Sequence, residues 1–423
     1  MRPQATSVIV GTIGKVFMSE IELNNTKYPA KPGLGIVQST QWSLKMAETL
    51  GVAIVGAGMM GAVHSRASRL AGATLKGIAA SNPQSAKAAA ARLAHLGMER
   101  AYSNADEAIA DPAVEVIHIC TPNSTHYPIA LAALAAGKHV VCEKPLATSL
   151  ADAKALASAA QSAGRVAAVP FVYRYHPMVR EARALVQDGT VGPLQLIHGS
   201  YLQDWLLGRD DTNWRVDAAL GGPSRAFADI GSHWCDLIEW VSGERFEAVV
   251  ATLQTTTPDR PTGTVETFST PAPGASLERQ AVTTEDVAGA LLRTRTGVLT
   301  TLTVSQVSAG RKNRLWFELD GARASVVFDQ EEPERLWLGE RDSTRLLVRD
   351  PSRGSAEQRR LATLPAGHAQ GYAQCFEAFV ADTYAVIRGE TREGLPTFED
   401  GYRSAQIIDA VLRSSKAHAW EQI

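Results

Sequence analysis

The sequence predicts an α/β Rossmann domain, a doubly wound parallel sheet, joined to an α+β domain built on a large, mostly antiparallel open sheet. Three observations lead there. From Gly51 to about Val172, short apolar runs alternate with helix-length stretches, the pattern of βαβ units. A glycine fingerprint, Gly56-x-Gly58-x-x-Gly61, stands between the first apolar run and the first of those stretches. Beyond Tyr173 strand-like stretches recur, some separated by turn pairs such as DG and TG. The expected organisation is an N-terminal extension over 1–47, a dinucleotide-binding domain over 48–172 and a substrate and oligomerisation domain over 173–423.

Residues 1 to about 45 have no period of 2 or 3.6 and include the loop composition NNTKYPAKPGLG. They read as a mis-assigned start or a loosely packed extension. From Gly51 the order is strand GVAIVG, helix GMMGAVHSRASRLAG, strand TLKGIAAS and helix PQSAKAAAARLAHLG. Strand VEVIHICT, helix STHYPIALAALAAG, strand HVVCEKP, helix SLADAKALASAAQSAG and strand RVAAVPFVY follow. These strands are continuous apolar runs because a parallel sheet is covered on both faces. Next come helix PMVREARALVQDG, strand LQLIHGSYLQDW and a polar loop. Strands FEAVVATLQT, EDVAGALLRTRTGVLTTLTVSQVS, NRLWFELDGARASVVFD and RLWLGE then precede two closing helices. The stretch TTTPDRPTGTVETFSTPAPGAS is the most loop-like interior segment.

Composition excludes several classes. Charged residues are 20% and the net charge is -2, so no basic face for nucleic acid is implied. No run of ~18 apolar residues exists to span a membrane. The cysteines, Cys120, Cys142, Cys235 and Cys375, are far apart, which suits a reducing cytoplasmic setting better than a disulfide framework.

Within the fingerprint, Gly56 makes the tight turn, Gly58 lets backbone approach a pyrophosphate, and Gly61 lets helix and strand pack closely. Met59 and Met60 fill the intervening positions at the helix N-terminus, where free N–H groups favour an anion. The second strand ends on Ser81 and Asn82 with no carboxylate, and Lys87 follows within reach of a phosphate. The cofactor reading is therefore NAD or NADP, with the preference open.

Four further motifs occur in order: TPNSTH (Thr121–His126), EKP (Glu143–Pro145), YRYHP (Tyr173–Pro177) and DIGSH (Asp229–His233). With the fingerprint they resemble the glucose–fructose oxidoreductase / inositol dehydrogenase / rhizopine catabolism (Gfo/Idh/MocA) family over about residues 48–420. The resemblance implies redox chemistry at a secondary alcohol of a sugar, inositol or related polyol, and a homodimer or homotetramer built on the open sheet. It implies that Lys144, Asp229 and His233 are the catalytic set. It also implies that Thr121, Pro122, Asn123 and His126 lie beside the cofactor, and that Glu143 meets the nicotinamide ribose. GSYLQDWLL, NWR and SAGRKN look like the family's pyranoside oxidoreductases, the levoglucosan dehydrogenase branch. A glycosidase that uses NAD transiently and a non-catalytic nucleotide sensor remain alternatives.

The residues themselves leave alternatives. Trp205, Trp214 and Arg215 suit a sugar's C–H face and hydroxyls, or simply pack a long loop. Tyr173, Arg174 and His176 begin the second domain and are candidates for the cleft, with Arg174 equally structural. His368 is expected at a pocket edge or as a cap. In DIGSHWCDLIEW, Trp234, Leu237, Ile238 and Val241 recur at helical spacing and read as core. Ser232 is expected as the N-cap, which would put His233 in the first turn, where the dipole disfavours an imidazolium. A zinc site from Asp229, His233, Cys235 and Asp236 lacks a completing ligand cluster, so no metal is expected.

Ser81→Asp is expected to raise the ratio of kcat/KM for NAD over NADP, because a carboxylate there bonds a 2′-hydroxyl and repels a 2′-phosphate. An unchanged ratio would remove Ser81 from the ribose.

Overall fold

A computed structural model describes residues 49–262 and 278–423. The extension expected over 1–47, and most of the loop-like stretch over 255–276, lie outside the described residues.

β1 (Gly51–Val55) is buried along its whole length, as a strand covered on both faces must be. It is followed by α1 (Met59–Leu70), β2 (Thr74–Ala79) and α2 (Pro83–Arg92). α2 starts there because Asn82 caps it and Pro83 supplies a helical φ at the first position. The short α3 (Ala105–Ala110), capped by Asn104, is an element the alternation did not reveal. β3 (Val116–Ile119), α4 (His126–Ala135), β4 (His139–Cys142), α5 (Leu150–Ala163) and the two-residue β5 (Ala167–Ala168) complete the series. The strands pair in parallel in the order β2-β1-β3-β4-β5. The order reverses between β1 and β3, so the loops leaving those two strands diverge and open a crevice at their carboxyl ends.

α6 (Pro177–Gln187), β6 (Leu194–Leu202), the single turn α7 (Ala218–Gly221) and α8 (Ser232–Ser242) come next. β7 (Phe246–Gln254) precedes a separate ribbon, β8 (Asp259–Pro261) with β9 (Arg279–Ala281). Then come β10 (Val287–Thr294), β11 (Leu299–Ser305), β12 (Arg314–Gly321), β13 (Ala324–Asp329), β14 (Arg335–Glu340) and β15 (Thr344–Val348). α9 (Ala356–Leu361), α10 (Tyr372–Ile387), α11 (Phe398–Ala417) and β16 (Glu421–Gln422) end the chain. The second sheet runs β15-β14-β13-β12-β6-β11-β10-β7-β16, antiparallel except for the β6–β11 pair. Its inner face, with Ile197, Tyr201, Leu302 and Phe317, packs on Trp234, Leu237, Ile238 and Val241 of α8.

Residues 48–423 form one compact unit. The last helices return to the first sheet: Phe376, Phe379, Val380 and Tyr384 of α10 share a core with Val52, Ile54 and Ala67, and Phe398 and Ala405 of α11 share one with Leu156 and Ala157 of α5. A boundary at residue 172 therefore separates the sheets in sequence, while the helices that cover them cross it.

β6 carries a glycine in its middle because Trp234 needs the room. The indole Nε1 donates to the Trp316 carbonyl at 2.9 Å, and a Cβ on Gly199 would strike both that carbonyl and the indole nitrogen. Gly199→Ala is expected to destabilise the fold by about 1–3 kcal/mol, the usual range for overpacking. The check is a lower denaturant midpoint with an unchanged slope.

Candidate functional site

The loops after β1 and β3 meet at the crevice. Gly56 has φ +116°, and a Cβ there would run into the Cys120 carbonyl; one on Gly61 would run into the Gly56 carbonyl. Both glycines are therefore required by close backbone approach. Gly58 faces open space, with no atom within 4 Å of a Cβ, and it begins α1 with no side-chain cap. The first-turn N–H groups of α1 are thus open to an anion, and the residues present fit a dinucleotide pyrophosphate. Arg92, which sequence reasoning passed over, donates from Nη2 to the Ala57 carbonyl at 2.9 Å and so sets a guanidinium beside this loop.

Ser81, Asn82 and Lys87 are exposed just past β2. Asn82 is already committed, since its Oδ1 accepts the Ser85 N–H at 2.8 Å as the α2 cap. Around β3, Thr125 donates to the Thr121 hydroxyl at 2.6 Å, and Pro122 leads the turn. Asn123 is buried and donates to the Gly221 carbonyl at 2.8 Å. His126 lies between the Pro145 carbonyl, 2.8 Å from Nδ1, and the Thr121 carbonyl, 3.0 Å from Nε2. Burial lowers its pKa against the pull of those carbonyls. Asn123 and His126 thus lock loop to loop.

Lys144, Asp229 and His233 line one cleft of about 320 Å³ together with Met59, Met60 and Glu143. The Lys144 ammonium donates to Asp229 Oδ1 at 2.6 Å and to the Asp229 carbonyl at 2.8 Å. Arg215 Nε stands 3.4 Å from the same Oδ1, and Gln306 Nε2 donates to Oδ2 at 2.9 Å. Burial favours the neutral acid, but the two cations and the hydrogen bonds outweigh it and hold Asp229 well below the usual carboxylate range. Gln306 was missed: it directly follows β11, and nothing in the sequence marks it as facing Asp229.

His233 is buried, touches the rings of Tyr173 and Phe171 edge-on at 4.9 and 5.6 Å, and leaves Nδ1 without a hydrogen-bond partner. Burial first, and the nearby Lys144 charge second, push its pKa well down despite Asp229. That direction agrees with the neutral imidazole expected from sequence, but its cause is different. Ser232 is not the N-cap. The chain is already helical from Phe227, where a π-turn over Phe227–Gly231 runs straight into α8. Ser232 donates back to the Ala228 carbonyl at 2.7 Å. The start is held from outside: one Glu285 oxygen accepts from the Ser224 hydroxyl and from the Arg225 and Phe227 N–H groups, at 2.7, 3.0 and 2.8 Å. His233 therefore lies past the first turn, beyond the reach of the dipole argument.

Beside His233 the same cleft is lined by a hydrogen-bonded row. Tyr173 and Tyr201 hydroxyls are 2.5 Å apart, Tyr201 donates to Asn313 Oδ1 at 2.7 Å, Gln203 donates to the same atom at 2.8 Å, and Trp205 donates to Gln203 at 2.7 Å. Burial pushes the Tyr173 phenol up to about 12, so it stays protonated. Tyr201, Gln203 and Trp205 alternate along β6 and its extension, a period-2 signal legible in advance for one face of a strand.

Three expected cleft residues lie elsewhere. Arg174 is buried and ion-paired with Asp236 and Asp400, beside a separate cavity of about 270 Å³. Its charge ties the short turn over Val172–Tyr175 to α8 and α11, because a buried guanidinium persists only when paired. His176 is buried under Tyr173 and Phe328, with neither ring nitrogen partnered. Trp214 does not line the cleft; its ring stacks under the Arg215 guanidinium at 4.4 Å and so steadies a residue that does. His368 is exposed, and the N-terminus of α10 is capped by Gly371 and Gln374 instead. Cys235 and Asp236 face the core rather than Asp229 and His233. Among the described residues the three-donor cluster within metal-binding reach is His198, Glu318 and Asp320 on the second sheet.

Comparisons with known proteins agree with this architecture. Residues 50–171 match the oxidoreductase family with an NAD-binding Rossmann fold, and residues 179–327 match the GFO/IDH/MocA C-terminal domain. The chain is 32% identical over 395 residues to levoglucosan dehydrogenase of Pseudarthrobacter phenanthrenivorans, covering 89% of this chain and 98% of that one. Levoglucosan dehydrogenase in complex with NADH and levoglucosan superposes with a TM-score of 0.79 at 30% identity, over 89% of this chain and 100% of that one. An oxidoreductase domain protein from Kribbella flavida gives 0.80 at 32%, over 89% and 99%.

His176 carries a pH consequence. Burial lowers its pKa to about 4, whereas an unfolded histidine titrates near 6.5. Below pH ~6.5 the unfolded chain binds a proton that the folded chain refuses, so this contribution to stability falls as pH drops, by about 3 kcal/mol at pH ~4. His176→Phe is expected to flatten the acid limb of the stability curve, measured as denaturant midpoints between pH 7 and 4.

Proposed function

The chain belongs to the Gfo/Idh/MocA oxidoreductase family, and from that premise we propose that it is an NAD(P)-dependent dehydrogenase of a cyclic polyol, a pyranose sugar or glycoside above others. The convergence of Lys144, Asp229 and His233 in one cleft at the carboxyl ends of β1, β3 and β4 carries this reading. A bound nicotinamide would supply the hydride acceptor or donor. The protein's own residues handle the proton. In the oxidation direction the neutral His233 ring takes the hydroxyl proton, and the Lys144 ammonium donates to the same oxygen as charge develops. Asp229 holds Lys144 and Arg215 in place and keeps the cleft's charge balanced. Trp205, the Tyr173–Tyr201–Asn313 row and Arg215 offer a ring face and fixed polar groups of the kind a sugar requires.

The absence of a carboxylate after β2 favours acceptance of both NAD and NADP, with Ser81 and Lys87 meeting the adenosine side. The outer face of the second sheet exposes Leu291, Leu299 and Leu346. We take it as the contact of a homodimer or homotetramer. The four cysteines are free, which fits a reducing, cytoplasmic setting.

The test is a panel of sugars and inositols offered with NAD and with NADP, read at the nicotinamide absorbance. Sugar consumed without net nicotinamide reduction would overturn the dehydrogenase reading in favour of a transient, glycosidase-type use. Lys144→Ala is expected to cut kcat by ~10²–10⁴-fold while NADH still binds. Loss of NADH affinity with kcat retained would move Lys144 from chemistry to cofactor binding.

A further inference from the structure

Behind the cleft lies a row of buried polar side chains that the reaction above does not use. Glu143 Oε1 is 2.9 Å from His64 Nε2. His64 Nδ1 is 2.8 Å from His118 Nδ1, and His118 Nε2 is 2.9 Å from the Tyr384 hydroxyl, which is 2.8 Å from the Ser68 hydroxyl. His64, His118, Tyr384 and Ser68 have no solvent exposure, and Glu143 is the member that lines the cleft. The row joins α1, β3, α10 and the end of β4. His118 sits within β3, between Ile117 and Ile119 in a strand otherwise filled with apolar side chains. A polar group there costs stability unless it is bonded, and an apolar residue would fill the site without that requirement.

The cleft end of the row is fixed by its chemistry. An ionised Glu143 only accepts, so His64 Nε2 must carry its hydrogen. At the far end Tyr384 donates to Ser68. Burial keeps His118 neutral. His64 holds one Glu143 oxygen, and the remaining Oε2 receives the Lys144 backbone N–H at 3.2 Å. The carboxylate is fixed on both oxygens, with its orientation set from inside the sheet.

We infer that His64 is a positioning residue for Glu143, with His118 behind it, and that together they orient the Glu143 carboxylate toward the sugar hydroxyls of the nicotinamide half of the dinucleotide. This rests on the reading of the cleft as a nicotinamide nucleotide site. The row reaches the cleft through Glu143, so its influence falls on the half of the ligand that Glu143 meets.

The experiment compares calorimetric affinities for NADH and for ADP, which lacks the nicotinamide riboside. His64→Asn keeps an amide near Nδ1 for His118 but cannot reach Glu143, whereas His64→Gln can donate to Glu143. His64→Asn is expected to weaken NADH by about tenfold, the size of one hydrogen bond to a charged group, with ADP unchanged. His64→Gln is expected to keep most of the NADH affinity. His118→Phe, which removes the partner of His64 Nδ1, is expected to weaken NADH by less than His64→Asn. Equal weakening of NADH and ADP by His64→Asn would mean general loosening and would overturn the inference. So would full NADH affinity in His64→Asn while Glu143→Ala binds poorly. Full NADH affinity in Glu143→Ala would instead overturn the placement of the nicotinamide half at Glu143, which underlies it.

Discussion

An ammonium group held at the floor of a largely buried cleft needs a counter-charge, and the chain supplies it from 85 residues away. The Lys144–Asp229 pair is that contact. Lys144 ends a strand of the parallel sheet, and Asp229 leads a helix packed on the antiparallel one. Neither partner is stable there alone, because an unpaired buried charge costs several kcal/mol. The pair therefore fixes the distance between the two sheets' edges, and the cleft has a floor because of it. Arg215, Gln306 and the π-turn carrying Asp229 all serve to aim one carboxylate.

Much of this was legible in the sequence, and the reasons differ by element. The parallel half declares itself because buried strands are continuous apolar runs and the glycine positions are dictated by backbone clearance at Gly56 and Gly61. Lys144, Asp229 and His233 were visible as motifs, and the structure brings them to one cleft. The environment of His233 was not, because its helix is started by Glu285, distant in sequence, rather than by the local Ser232. Local capping rules see only neighbours in the chain. His176 was misplaced, and Arg174 takes the structural role that stood as its alternative, for a related reason: adjacent to Tyr173 in sequence, they turn into the core on a short irregular turn whose period no pattern rule resolves.

The polar row in the cleft shows a second kind of order. Tyr173, Tyr201, Asn313, Gln203 and Trp205 satisfy one another before any ligand arrives. Groups that are already bonded lose little freedom on binding, so such a wall selects shape more than it rewards contact.

The return of α10 and α11 to the first sheet has a consequence for how the protein is made. Val52, Ile54 and Ala67 are covered by Phe376, Phe379 and Val380, and Ala168 is bridged by Thr397. During synthesis the nucleotide half emerges first, yet its apolar surface stays uncovered until the last helices leave the ribosome. For that interval the nascent chain presents uncovered apolar faces and an open strand edge, the surfaces through which partly made chains associate.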